Sequence, residues 1–352
     1  MKQFAAASTR LLSSRLFQLG VGIGVSIVCV YLAVQNVDYY GIWLALVQAD
    51  VGLISLALLS VALNTVGKAA RWQILMGVAG RTVAPLRILG MLVVGQMLNS
   101  VIPARVGDVS RAYVIGGMGP GRTFVLGTIA LEKILDMTMY ALLFLLLVLL
   151  MPVPAWLSQT TYLFAILTFS MLLITLVVTY RSGWLLHACV WMTDKFPANL
   201  KTRLMAMIQS GLTSLHILHN HKNTMNVAGW CVVIWGTAVL TNYLVMRALN
   251  IDVPVVSALF VLIVLQAGIS IPSVPGRIGV FEYLCILALS VFAIDSTIAL
   301  SFGLLLHAIV FIPPTIAGVL FLWGSGWNIR QPPPSGSVDS ELSTLPVLKG
   351  ER

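Results

Sequence analysis

MTMYALLFLLLVLLMPVPAWLSQTTYLFAILTFSMLLITLVVTY, from Met137 to Tyr180, contains no charged residue and no histidine. One helix crosses the hydrocarbon core of a bilayer with about 20 apolar residues. The run is therefore too long for one crossing and long enough for two. Met151-Pro152-Val153-Pro154 divides it, because proline lacks the backbone N–H and its ring clashes with the preceding turn. Trp156 and Tyr162 lie just beyond this break, where aromatic rings suit the headgroup level. A chain that crosses, turns and crosses again is polytopic, and the reading of the rest follows from that.

Seven further charge-free runs occupy 16–37, 51–67, 88–104, 223–246, 253–276, 283–294 and 296–329. Pro313-Pro314 should kink or break the last. Hydrophobic residues make up 59% of the 352-residue chain and charged residues 9%, with a mean hydropathy of +0.95. A soluble domain carries roughly 25% charged residues, so a soluble enzyme with a greasy core is excluded. The net charge of +9 fits a protein held against anionic lipid. It does not call for nucleic acid, because the basic residues sit in short loops between apolar runs.

Lys and Arg concentrate in the N-terminus, the 68–87 loop, the 181–222 loop and the tail, whereas the loops around 38–50, 152–161 and 295 hold Asp38, Asp50 and Asp295 and no Lys or Arg. The positive-inside rule then predicts two cytoplasmic termini and an even number of crossings. The expected organisation is a basic cytoplasmic N-terminus over 1–15, an all-α helical membrane domain over 16–325 with about eight spans, and a disordered cytoplasmic tail over 326–352. The run from 16 to 37 is read as an uncleaved first span, since no small-x-small site ends it. Within 181–222, Leu204, Met207, Ile208, Leu212, Leu215 and Leu218 recur at helical spacing, as on an interfacial helix. His216, His219 and His221 cluster there with no carboxylate or thiol beside them, so a solvated helix end is preferred to a metal site. Cys29, Cys189, Cys231 and Cys285 are scattered and form no CxxC pair, which suggests neither disulfide nor metal.

Residues 88–104 break the simple count. A full crossing would leave Arg105, Arg111 and Arg122 outside. A re-entrant segment, entering and leaving on one side, satisfies the charge rule better, and such backbone must be buried in protein or line a wet cavity.

That segment ends in one of two related motifs, Pro103-Ala104-Arg105-Val106-Gly107 and Pro275-Gly276-Arg277-Ile278-Gly279. Each follows an apolar run, opens another helix and is followed by ionisable residues: Asp108 and Arg111 in one case, Glu282 in the other. Pro and Gly suit a discontinuous helix, and paired breaks in two halves of a chain point to a transporter-like site and an internal repeat. The guanidinium fork matches phosphate oxygens. Arg105, Arg111 and Arg277 are accordingly expected to bind an anionic headgroup, or to pair internally with Asp108 and Glu282; both hold if the bridges open when a lipid enters. Glu132 and Asp136 share one helix face and are expected to pair with Arg105, Arg111 or Arg122, or to carry protons. Pro103, Gly107, Pro275, Gly276 and Gly279 are the expected hinges. Lys68-Ala69-Ala70-Arg71-Trp72 reads as interfacial anchoring. The sequence holds no Walker motif, GxSxG, HExxH or EF-hand loop, and no catalytic residue, metal or cofactor is expected.

Ala70-Arg71-Trp72, the stretch from Asn99 to Arg111, Leu131-Glu132-Lys133-Ile134-Leu135-Asp136 and Pro275-Gly276-Arg277-Ile278-Gly279 with Glu282 resemble the flippase-like membrane family. That family includes the lysylphosphatidylglycerol synthase transmembrane region, dolichyl-phosphate-glucose synthetase-like proteins and hopanoid-associated members. The resemblance covers most of residues 15–325. It implies a helical bundle that moves anionic or isoprenoid-linked lipids between the leaflets of a bacterial inner membrane. The alternative is a non-catalytic subunit presenting lipid to a partner glycosyltransferase or lipid synthase, and a lysyl-transferring enzyme is less favoured. Where the family pattern often carries arginine after the glutamate, Lys133 stands here, keeping the charge and losing the fork.

Overall fold

The computed structural model describes residues 15–35, 37–102, 106–151, 170, 220–268 and 273–324, with side chains from residue 20 onward. Pro103 and Arg105, the interfacial segment with His216 and His219, and the tail lie outside the described residues. Among the described residues every regular element is helical. They are α1 (Arg15–Val34), α2 (Tyr39–Val47), α3 (Val51–Leu75), α4 (Gly77–Arg81), α5 (Pro85–Val101), α6 (Val106–Gly116) and α7 (Arg122–Leu150). After them come α8 (His221–Ala248), α9 (Val255–Gly268), a 3₁₀ turn (Pro275–Arg277), α10 (Val280–Ser290) and α11 (Ser296–Gly324).

Four of these helices, α3, α7, α8 and α11, are long and apolar enough to cross a bilayer, or five crossings if the bent pair α1–α2 counts as one. This count does not establish the expected eight. Their outer faces carry side chains that water would not tolerate in such number: Leu59 is 64% exposed, Leu149 75% and Leu320 55%. At one end of the bundle helices start on aspartates. Asp38 caps α2 through Tyr40 N, Asp50 caps α3 through Gly52 N and Leu53 N, and Asp295 receives the Thr297 N–H ahead of α11. Each carboxylate accepts backbone donors that the first turn cannot otherwise satisfy. These are the three acidic residues of the loops that lack Lys and Arg. Asp38 N also meets Thr297 Oγ1, which brings the starts of α2 and α11 together, and Asp50 N meets Ala248 O at the end of α8.

Pro313 and Pro314 were expected to kink or break their helix; they do not break it, since α11 runs through them to Gly324. Proline's fixed φ is helical, and the pair removes only local ladder bonds.

The two motif-bearing stretches fold alike. Helix α5 returns as α6, with Asn99 beside Gly107 and Gly95 beside Arg111, an antiparallel hairpin. At 1.5 Å per residue α5 is about 25 Å long and α6 about 16 Å, short of a roughly 30 Å hydrocarbon core. This is the geometry that entering and leaving on one side requires. Helix α9 likewise returns as α10, where Gly268 meets Leu284. A separate core surrounds each hairpin. Trp72, Ile88, Met91, Ile115 and Val125 pack around the first, and Met246, Phe260, Phe281, Cys285 and Phe302 around the second.

Candidate functional site

The first hairpin is joined with almost no space between its arms. A Cβ on Gly107 would overlap the Gly95 carbonyl oxygen, so only glycine allows this approach. Asn99 bridges the turn: its Oδ1 accepts from Gly107 N at 2.8 Å and its Nδ2 donates to Asp108 Oδ1 at 3.3 Å. Asp108 also meets Arg111 at 3.1 Å and Lys133 at 3.6 Å. Arg111 reaches Glu132 at 3.4 Å and stacks over the Trp72 ring at 4.7 Å, and Trp72 Nε1 donates to Thr128. Four helices, α3, α5, α6 and α7, are thus tied by one buried charge network.

The expected Arg111–Asp108 and Arg111–Glu132 pairings are therefore present. Asp136 differs: its partner is Arg71, at 2.8 Å, and Arg71 is fully buried. The reading of Arg71 as an interfacial anchor is corrected by that pairing. The Arg71 guanidinium also donates to Cys231 Sγ at 3.3 Å.

At the second break the backbone takes left-handed values at Gly276 (φ 75°), Arg277 (φ 60°) and Gly279 (φ 88°). Two side chains among the described residues bond to its backbone. Ser26 Oγ on α1 accepts from Val274 N at 3.0 Å, and Glu282 Oε2 accepts from Gly279 N at 2.7 Å. The other oxygen of Glu282 lies 2.6 Å from His307 Nδ1 on α11. An Arg277–Glu282 bridge was expected, and the partner is instead a histidine in an apolar run. The reason is geometric: Glu282 serves as the cap of its own helix and points away from solvent, against α11.

Residues flanking both breaks line one cavity of about 670 Å³. The first hairpin contributes Gln96, Asn99, Ser100 and Ile102, and the second Gln266, Ser273, Pro275, Gly276 and Arg277. The walls come from Asn64, Thr65 and Lys68 on α3, Asp136 on α7, Trp235, Thr241 and Asn242 on α8, and Phe311 and Pro314 on α11. Of the expected headgroup residues, Arg277 and Asp136 line this space. Arg111, Asp108 and Glu132 lie behind it in the charge network, and Glu282 lies under it with His307. Pro275 and Gly276 are at the cavity, and Gly279 sits against α1, where Ser26 and Val30 leave no room for a side chain.

Two wall groups were missed. Lys68 forms no hydrogen bond or ion pair with a described residue. Trp235 Nε1 is buried without an acceptor among them. Only the apolar run around Trp235 and the basic end of α3 could have signalled them, and neither signal separates a cavity wall from a lipid-facing surface. The wall carries cationic and donor groups: Lys68, Arg277 and an indole N–H, beside the Asp136 carboxylate that pairs with Arg71. Such a set receives anionic oxygen.

Helical hairpins that break inside an apolar bundle, around a cavity of mixed polar and apolar lining, define a multi-pass helical membrane protein. The chain belongs to the lysylphosphatidylglycerol synthase TM region family, whose family model matches residues 19–318. No curated protein matches, and no solved structure matches.

Proposed function

We propose that this protein moves an anionic or isoprenoid-linked lipid between the leaflets of a bacterial inner membrane, with both termini cytoplasmic and no catalytic step of its own. The observation that carries the reading is the 670 Å³ cavity at the meeting of two interrupted helices. Its volume is in the range of small-molecule sites. Discontinuous helices around a midplane site are the recurrent transporter solution. Ile102 and Ile278, beside the two breaks, are 39% and 57% exposed, so apolar surface adjoins the polar groups of the cavity as a lipid's two parts require. Lys68 and Arg277 receive the phosphate, Trp235 donates to one of its oxygens, and the acyl or prenyl chains stay in the bilayer. Rocking of the second hairpin against the first moves the headgroup across.

The test is fluorescent phosphatidylglycerol in proteoliposomes, with the outer leaflet quenched chemically. The wild-type chain exposes the inner pool to quencher, and Arg277→Ala reduces that rate at least tenfold with unchanged insertion. An unchanged rate for Arg277→Ala refutes the site. Activity that appears only when a glycosyltransferase or lipid synthase is added replaces transport with lipid presentation.

A further inference from the structure

We infer that Glu282 and His307 form a proton-binding site linked to the headgroup cavity, so that binding an anionic headgroup takes up one proton. The inference rests on the transport reading and adds what that reading lacks, a coupling ion.

The pair is a short polar contact, Glu282 Oε1 to His307 Nδ1 at 2.6 Å, with side chains 8% and 14% exposed. It is joined to the cavity wall by aromatic rings. Phe281 and Phe311 flank His307 with ring centroids at 4.7 and 4.3 Å, and both phenyl groups line the cavity. It is joined to the break by the second carboxylate oxygen, which holds Gly279 N. A change in charge on the pair is therefore felt at the wall and at the turn that carries Arg277.

Two charge states matter. With the proton, imidazolium and carboxylate are neutral together. Without it, the pair keeps a net charge of −1 in apolar surroundings, below a space that receives an anion. Burial makes the uncompensated carboxylate costly, and a second negative charge above it adds repulsion. Proton and headgroup thus favour one another, and linkage requires the effect to be reciprocal. The proton comes from water in the cavity, binds the free nitrogen or carboxylate oxygen of the pair, and returns to water when the headgroup leaves. No other bond changes.

The remaining groups around the pair do not replace it. On α10 the Cys285 thiol sits beside Gly303, one turn from Glu282. The 3₁₀ turn supplies Arg277, and across the cavity α3 supplies Lys68 and α7 supplies Asp136. Toward the cavity α5, α8 and α9 present Gln96 and Asn99, Asn242, and Gln266, which do not titrate. Helix α1 meets the break with Ser26 and Val30, and α2 packs near Thr297, with Asp38 at the far end of α11.

The experiment uses the full chain in detergent with dihexanoyl phosphatidylglycerol as probe. Calorimetry in two buffers of different ionisation enthalpy, between pH 5.5 and 8.5, gives the protons taken up per probe bound. The expected result is uptake approaching one in the wild type, with affinity falling by up to tenfold per pH unit in the same window. His307→Gln, which retains a donor to Glu282 and so the fold, shows no uptake and a flat pH profile; Glu282→Gln is the second variant. Binding without proton uptake, or equal uptake in His307→Gln, overturns the coupling and leaves the headgroup reading intact. Failure of the probe to bind at any pH overturns both. A histidine resonance assigned to His307 by its loss in His307→Gln, and invariant over this pH range, overturns the proton site whatever the probe does.

Discussion

Arg71 Nη1 and Asp136 Oδ1 are 2.8 Å apart, and the arginine has no exposed side-chain surface. The carboxylate is 26% exposed and reaches the cavity. Two of the guanidinium nitrogens, Nε and Nη2, find no acceptor among the described residues. The ion pair is therefore minimal, and Arg71 depends on Asp136 for its charge balance.

Replacing Asp136 by Asn should consequently be costly. Removing one partner from a buried pair strands the other charge, at roughly 3–5 kcal/mol. The expected outcome is a lower melting temperature in mild detergent, larger than for Asp252→Asn at the exposed Arg247–Asp252 pair. The double variant Arg71→Met, Asp136→Leu should recover much of the loss. Equal melting temperatures for the Asp136 and Asp252 variants would contradict this account.

Gly107→Ala tests the hairpin. The added methyl overlaps the Gly95 carbonyl oxygen, and backbone cannot move aside as a side chain can. Overpacking of this kind costs about 1–3 kcal/mol. Gly229→Ala, where the new methyl meets nothing, is the control. The pair should separate in detergent-exchange stability and in yield.

Trp235→Phe separates binding from folding. The indole N–H has no acceptor among the described residues, so its removal should leave thermal stability within about 0.5 kcal/mol. A hydrogen bond to a ligand oxygen contributes about 0.5–1.5 kcal/mol. Affinity for dihexanoyl phosphatidylglycerol should thus fall threefold to tenfold. Loss of stability without loss of affinity would show that the ring acts only in packing.

Asp295 supplies the acid limb of stability. Hydrogen bonds from the Thr297 backbone, and then from its side chain, hold this carboxyl below its ordinary value. A depressed folded pKa means the contribution is present above the unfolded value, about 4, and is lost as pH falls through the lower folded one. Asp295→Ala should cost no more than about 1 kcal/mol at pH 7, since the site is exposed. It should also flatten the stability profile below pH 4, followed by intrinsic fluorescence. An unchanged acid limb would mean the cap contributes nothing.

Much of this was written in the sequence, unevenly. The breaks at 103–107 and 275–279 were legible because proline, glycine and arginine do not belong together in hydrocarbon. Arg111 and Glu132 were legible as partners because each is costly alone. His307 was not: it is a lone imidazole in an apolar run, 25 residues from Glu282, and periodicity assigns a face without naming what the face meets. Arg71 was misread for a related reason. An arginine at a basic helix end has an adequate explanation in topology, and only the position of α7 shows that it points inward. Lys68 and Trp235 needed the cavity itself.

The close seat of Gly107 on Gly95 has a mechanical consequence. With Gly107 seated on the Gly95 carbonyl and Asn99 bonded across to Gly107 and Asp108, the first hairpin is a stiff jaw. The second carries left-handed residues at Gly276, Arg277 and Gly279, which makes it the compliant jaw. In such a vice, load on the cargo is absorbed on one side only, and the stroke is set by how far a single turn of backbone can yield.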